Sequence, residues 1–419
     1  MRQEPRQRVL VIGDDMRIFL AVVRSLGRAG KEVHAAPFNW HAPALKSRYV
    51  DKVHYLPRYS ENPSGWRTAL AKAISAYQFE VIIPCCDRAI LPLHEHRDDF
   101  ACRIAIPNPT AMTLMFDKDA TRKMAAQLGV PVVSATNVSR AGTADDLAQR
   151  FGLPLVLKPR SSYTMDRLET WGKVWIVETK QQLDELLRTM ADIDRYIVET
   201  YFVGSGVGVS VLAHAGQIQH AFQHRRLREG WGGSSSYRIS EAVDAELYAA
   251  CNKICRHTGL TGVCMFEFRY NLDTRKWVLL ETNARFWGSM PLPLSLGVDF
   301  PVYLFDLLVE GETHPPVPYP VGIRARNLLL DGMNLIADLR RTGPKGLGRW
   351  LADVLDFLMQ PIRWITGRER SDSFVIDDIR PGLWECAMLL RDLYEKRSRP
   401  SALGTSRERR RQKLAASSN

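Results

Sequence analysis

The sequence predicts an α/β protein, α+β in its later part, with an open parallel sheet at the N-terminal end and a helical C-terminal extension. Three patterns carry this expectation. Strand and helix signals alternate over the first hundred residues, as βαβ units do. Short apolar strands cluster between residues 196 and 285. Beyond residue 345 apolar residues recur at steps of three and four. At 419 residues the chain has room for two to three domains.

Arg8 to Ile12 reads as a buried strand ending in Gly13-Asp14-Asp15, and a helix follows from about Met16 to Ala29, where Gly30 stops it. Strands are expected at Glu32 to Pro37, Lys52 to Leu56 and Phe79 to Pro84, with a helix at Gly65 to Tyr77. The last strand runs into Cys85-Cys86-Asp87-Arg88, at the sheet's carboxyl edge, where such sheets bind ligands. Gly13 has no G-x-G-x-x-G companions, so a dinucleotide cofactor is not expected. One helix is predicted over Thr110 to Leu128, closed by Gly129 and Val130-Pro131. Strands follow at Leu155 to Lys158, Trp171 to Val177 and Tyr196 to Thr200, with a helix at Gln181 to Met190. The β-rich block holds strands near Val207 to Ala213, Ile218 to His224, Gly262 to Tyr270 and Lys276 to Glu281, with a helix at Ala242 to His257. Thr313 to Pro320 is Pro-rich and predicts a boundary.

Net charge is +11, but its placement matters more than its size. Glu395 to Asn419 carries +6 and Met1 to Arg8 carries +2, which leaves +3 over the 386 residues between them. A near-neutral body argues against a nucleic-acid-coating protein, and no nucleic-acid partner is expected. A hydrophobic content of 45% predicts a substantial core and excludes global disorder. No apolar run is long enough to span a membrane, and Val9 to Ile12 is too short for a signal-peptide core. The seven cysteines show no paired zinc spacing and predict reduced thiols in a cytoplasmic protein.

Candidate chemistry lies on two strand segments, Met265-Phe266-Glu267-Phe268-Arg269 and Leu279-Leu280-Glu281-Thr282-Asn283-Ala284-Arg285. Glu281 and Asn283 are two apart and share a face of an extended chain, which Arg285 continues. With Glu267 on the neighbouring strand they offer the hard oxygen ligands that Mg²⁺ prefers, nucleotide phosphates completing its shell. A plain ion pair between two strands is the competing reading. Lys158 ends the apolar run Pro154-Leu155-Val156-Leu157, where a lysine is costly unless an anion meets it. The following Arg160-Ser161-Ser162-Tyr163-Thr164 offers hydroxyls and backbone donors suited to phosphate. Lys118 lies near the middle of the predicted Thr110 to Leu128 helix.

In this order the motifs resemble the ATP-grasp superfamily, most of all its carbamoyl-phosphate-synthase-like, carboxylate–amine ligase branch. The resemblance rests on Asp117-Lys118 through Gly129-Val130-Pro131, Leu157-Lys158-Pro159, Ile197 to Gly204, Phe266 to Arg269 and Leu280 to Arg285, and covers about residues 8 to 330. It implies an N-terminal pre-ATP-grasp, Rossmann-like domain over 1–115 and a two-lobed ATP-grasp fold. That fold comprises a linker helix and lid lobe over 116–205 and a metal-binding lobe over 206–330. A helical extension over 331–396 and a basic tail over 397–419 complete the chain.

The resemblance further implies an ATP- and Mg²⁺-dependent ligase that activates a carboxylate as an acyl phosphate for capture by an amine or similar nucleophile. Lys118 and Lys158, with Ser161 and Ser162, would bind ATP phosphates, and Glu199, Thr200, Tyr201 and Phe202 would form the adenine hinge. Glu267, Glu281 and Asn283 would hold one or two Mg²⁺ ions, or Mn²⁺ in their place. Arg285, Lys158 and Arg228 would act at the reacting end, Arg228 belonging to the basic run His224 to Arg228. Small-molecule carboxylates and amines are the implied partners. The chain departs from the pattern in two places: residues 160–164 contain no glycine, and Gly204 to Gly208 supplies no ribose-binding acid. These departures fit an alternative, a catalytically reduced nucleotide-binding regulatory or membrane-peripheral scaffold protein. Gly230 to Ser236 reads as a polar substrate-side loop, or as plain linker.

In the extension, Leu347, Trp350, Leu351, Val354, Leu355, Leu358, Met359 and Ile362 form one face of an amphipathic helix. Flanking basic residues over 345–370 allow peripheral membrane contact, while a helix packed on its own domain or across a homodimer is the plainer reading. A final helix is expected at Trp384 to Tyr394, before a Ser/Arg tail.

Overall fold

The computed structural model describes residues 6–139, 142–166, 168, 172–229, 235–341 and 346–398. It contains three sheets. The first is parallel, formed by β1 (Arg8–Ile12), β2 (Glu32–Ala36), β3 (Lys52–Val53), β4 (Val81–Pro84) and β5 (Arg103–Ile104), in the order β3-β2-β1-β4-β5. Its central strand is apolar on both faces because both are covered. Leu10 and Ile12 pack with Trp66 and Leu70, while Val9 and Val11 share a core with Phe286, Trp287 and Phe300. The N-terminal sheet is thus joined to the later half of the chain by a common hydrophobic core.

The second sheet is antiparallel, with β6 (Ala135–Asn137), β7 (Leu155–Pro159), β8 (Trp175–Val177) and β9 (Tyr196–Thr200) in the order β6-β9-β7-β8. The third has seven strands, β10 (Ser205–His214), β11 (Gln217–Glu229), β12 (Ser235–Glu241), β13 (Gly262–Tyr270), β14 (Trp277–Asn283), β15 (Arg324–Arg326) and β16 (Glu369–Ser371). Their order is β14-β13-β10-β11-β12-β15-β16. Gly208 on β10 faces His224 on β11, and a Cβ at Gly208 would lie 2.3 Å from the imidazole, so only glycine fits.

Four expectations are corrected. The single helix over Thr110 to Leu128 is two, Pro109–Met115 and Lys118–Gln127, because the Asp117 carboxylate accepts from the backbone N–H groups of Asp119 and Ala120 and starts a second helix. Lys118 therefore opens a helix rather than sitting inside one. Of the polar loop Gly230 to Ser236, residues 230–234 lie outside the described residues, while Ser235 and Ser236 begin β12. The C-terminal extension is not wholly helical, since β16 pairs in parallel with β15 and completes the large sheet. Its amphipathic stretch forms two helices, Leu347–Leu358 and Gln360–Ile365, parted at Met359 before Pro361.

The first of these helices is turned opposite to the usual sense. Asp353 meets Arg228 and Asp356 meets Arg326 and Arg363, while Leu351, Leu355 and Leu358 are exposed. Among the described residues no helix is long and apolar enough to cross a membrane.

Candidate functional site

The chemistry-bearing strands are neighbours. β13 and β14 pair antiparallel with Glu267 opposite Glu281 and Met265 opposite Asn283, so both carboxylates and the amide stand on one face. The Asn283 side-chain nitrogen lies 3.2 Å from Glu267 Oε1 and 3.5 Å from Glu281 Oε1. Two like charges placed directly opposite require cations, and three elements supply them. Arg226 of β11 lies 2.5 Å from Glu267, and Lys118 of the Lys118–Gln127 helix lies 3.4 Å from Glu281. Lys158 of β7 donates to the Leu280 carbonyl oxygen at 3.2 Å.

These surroundings push the two carboxyl groups apart. Burial raises Glu267 above the usual glutamate value against the opposing field of Arg226. Burial would raise Glu281 too, but Lys118, Lys158 and Arg226 outweigh it and hold it down to about 2. The donor set of two carboxylates and one amide suits a hard divalent cation such as Mg²⁺. Among the described residues no group of three His, Cys, Asp or Glu side chains could hold a metal ion, so oxygen from another source would have to complete the shell.

Lys158 is buried, and its ammonium lies 2.9 Å from the buried Glu199 carboxylate. The two lie diagonally across the β7–β9 pair, since Val156 stands opposite Glu199. The Glu199 side chain is thus turned to the lysine, and hinge contacts there fall to backbone groups. Thr200, Tyr201 and Phe202 follow at the end of β9, outside the lining of the cleft beside Glu281 and Asn283.

That cleft holds about 270 Å³. Lys118, Ser161, Ser162, Glu281, Asn283 and Arg285 line it, and Lys118 Nζ lies 3.1 Å from Ser162 Oγ. Arg285 pairs with Asp87 at 2.5 Å, which ties the segment after β14 to the carboxyl edge of the parallel sheet. Asp87 was expected only as part of the Cys85 to Arg88 loop. Its position just past a parallel strand's carboxyl end was the available signal.

Arg228, expected at the reacting end, sits elsewhere. Its guanidinium lies 2.5 Å from Asp331 and 3.0 Å from Asp353. The register of β11 is irregular between Arg226 and Arg228, which breaks the alternation that placed both on one face. Arg226 is the member of this run that reaches the carboxylates. His224 is buried, and burial with the nearby Arg226 and Arg238 holds its pKa well below the usual histidine value, so it is neutral.

Residues 192–329, which contain the end of β9 and Arg226, Glu267, Glu281, Asn283 and Arg285, match the family described as "ATP-grasp in the biosynthetic pathway with Ter operon". Over these residues the chain matches the ATP-grasp superfamily. Biotin carboxylase 1 of Bacillus subtilis (strain 168) is 23% identical over 206 residues, 44% of this chain and 44% of its own. Among solved structures, N5-carboxyaminoimidazole synthetase from Staphylococcus aureus shares this ATP-grasp fold at a TM-score of 0.61 and 17% identity, over 81% of this chain and 86% of that one. The biotin carboxylase domain of Hydrogenobacter thermophilus 2-oxoglutarate carboxylase, solved with MgADP, ADP and bicarbonate, aligns at 0.58 and 15% identity over 77% and 74% of the two chains. The chain spans under two thirds of the length of the curated relatives it matches. At these identities the structural likeness is one of ATP-grasp fold.

Proposed function

We propose that this ATP-grasp chain is an ATP- and Mg²⁺-dependent ligase that joins a carboxylic acid to an amine or similar nucleophile. The observation that carries the reading is the convergence of Lys118, Lys158 and Arg285 around Glu281 and Asn283, from three separate parts of the chain. Lys118 and Lys158 bind nucleotide phosphates, with Ser161 and Ser162 at the same wall, and the backbone of Glu199 to Phe202 forms the adenine hinge. Glu267, Glu281 and Asn283 hold one or two Mg²⁺ ions, which supply neutralisation of phosphate charge.

A substrate carboxylate oxygen attacks the γ-phosphorus, the bond to the bridging oxygen breaks and ADP leaves. Arg285 and Lys158 offset the charge that develops on the transferred group. The amine lone pair then attacks the acyl carbon, the carbon–oxygen bond to phosphate breaks, and the departing phosphate takes the proton that the nitrogen gives up. Arg226 holds Glu267 ionised in this scheme, a positioning role that replaces the one expected of Arg228. The solved MgADP complex of the 2-oxoglutarate carboxylase domain supports the nucleotide and metal assignment.

The test is ATP affinity with and without Mg²⁺, in the parent chain and in Glu281→Gln, followed by ADP release with panels of acids and amines. Mg²⁺ should tighten ATP binding at least tenfold in the parent and far less in the variant. Equal values in all four measurements would overturn the site. Tight MgATP binding with no acid-dependent ADP release would favour the regulatory alternative.

A further inference from the structure

The Leu347–Leu358 helix presents Leu347, Leu351, Leu355 and Leu358 to solvent, the last two 63% and 64% exposed. Steps of three and four put all four on one stripe. The Gln360–Ile365 helix follows with Ile362, Trp364 and Ile365 also exposed, Ile365 at 79%. The Leu328–Arg341 helix, which accepts the Trp350 indole N–H at the Leu335 carbonyl oxygen, adds Met333 and Ile336. Single exposed apolar residues need no explanation, but a set of this size on consecutive helices marks a surface that is covered in use.

The fold fixes this orientation. Asp353 lies 3.0 Å from Arg228, and Asp356 lies 2.8 Å from Arg326 and 2.6 Å from Arg363. Arg228 on β11 and Arg326 on β15 are buried. Rolling the helix over to bury its leucines would take both carboxylates from these arginines and leave the buried cations short of countercharge. The leucines face outward because ion pairs hold the opposite side against the sheet.

What covers the ridge follows from the chemistry it offers. Among the described residues from Leu347 to Arg368 both carboxylates are paired with arginines, and the exposed Thr366 hydroxyl donates back to the Ile362 carbonyl oxygen at 2.9 Å. A protein partner would need hydrogen-bonding groups there, about one bond per 100–200 Å² of interface, whereas acyl chains need none. Trp364 brings an amphipathic ring of the kind that sits at headgroup level, and the exposed Arg368 follows it. From Arg399 to Asn419 the sequence adds six Lys or Arg against one Glu. An interfacial helix binds more strongly as it buries apolar area and as attached cations meet anionic lipid.

We propose that the outward face of the Leu347–Leu358 and Gln360–Ile365 helices is a docking surface for a bilayer carrying anionic phospholipid. The leucines enter the boundary between headgroups and acyl chains, with Arg368 at the phosphates. The contact is peripheral and does not depend on the ligase reading, since it uses none of the cleft residues.

The experiment is flotation of the full chain with vesicles of phosphatidylcholine alone, and of three parts phosphatidylcholine to one part phosphatidylglycerol. The parent should bind the mixed vesicles more strongly than the neutral ones. Leu355→Glu/Leu358→Glu should weaken binding to the mixed vesicles at least tenfold. Because both leucines are largely exposed, that variant should keep the parent's melting temperature within a few degrees. Arg368→Gln should weaken binding to the mixed vesicles about fivefold and leave binding to the neutral ones unchanged. Absence of binding to either vesicle would overturn the proposal. Equal binding of the parent and the double variant would also overturn it, assigning the contact to the basic tail. So would a lipid-free dimer in sedimentation velocity that the double variant dissociates, since a second copy would then cover the face.

Discussion

Lys118 lines the cleft, whereas Lys158 lies buried beside it against Glu199 and the Leu280 carbonyl oxygen. Lys158 and Glu199 are both buried, so Lys158→Met leaves a carboxylate stranded in low dielectric, at a cost of about 3–5 kcal/mol. Lys118 faces Glu281, whose side chain is 28% exposed, and Lys118→Met should cost under about 1 kcal/mol. Both variants should lose nucleotide affinity, but only Lys158→Met should lower the urea midpoint clearly; equal midpoints would contradict the buried pairing. Glu281 adds a pH signature. Its carboxyl is held at about 2, below the ordinary value of 4.5, so its contribution to stability is full above that ordinary value and is lost as pH falls toward 2. The stability gap between the parent and Glu281→Gln should therefore narrow between pH 5 and pH 3, and parallel curves would refute the depressed value. Glu267, raised by burial, works in the opposite direction. The sequence made the Glu281–Asn283 face visible because strand alternation is local. It could not reveal that Arg226 rather than Arg228 meets Glu267, because a register irregularity leaves no mark in residue type.

At the scale of elements, the start of the Lys118–Gln127 helix decides where Lys118, the lysine proposed to bind phosphate, stands. Asp117 caps it through Asp119 and Ala120 and also receives Arg160 at 2.9 Å. Asp117→Ala should destabilise by about 1 kcal/mol, whereas Asp117→Asn should keep most of the cap. Chemical denaturation separates the two, and equal losses would mean that the Arg160 pair, not the cap, carries the effect. Strands with apolar residues on both faces, such as β1 and β4, are plain in the sequence because each residue reports burial directly. β12 was missed because its inward residues are Ser236, Arg238 and Ser240, all fully buried. Polar residues on the core face invert the usual signal. The Leu347–Leu358 helix shows the same inversion: its period was legible, but buried arginines elsewhere in the chain decide which face turns inward.

At the scale of the whole molecule, the C-terminal extension holds the first helix and the large sheet together through buried charge. Arg238 meets Asp372 at 2.6 Å and Arg326 meets Glu369 at 2.8 Å, all four side chains fully buried. Arg24, on the Ile18–Arg28 helix, reaches Asp378 at 2.9 Å and donates to the backbone carbonyl oxygens of Asp372, Ser373 and Asp378. Asp378 in turn accepts from Ser47 Oγ and the Arg48 backbone N–H. A segment some 350 residues away in sequence thus fastens the Ile18–Arg28 helix to the strand that edges the large sheet. Such pairs cost more to break than they gain over an apolar pair, because the penalty comes from the stranded partner. Arg24→Met should therefore destabilise by about 3–5 kcal/mol, since Asp378 keeps only neutral donors. In Arg24→Met/Asp378→Leu neither charge is stranded, and the double variant should lose less than the two single losses combined. Urea midpoints of the four proteins measure the coupling, with MgATP affinity as a check that the distant site is intact. Additive losses would show that Arg24 acts through its carbonyl contacts alone and that the ion pair does not couple the two segments.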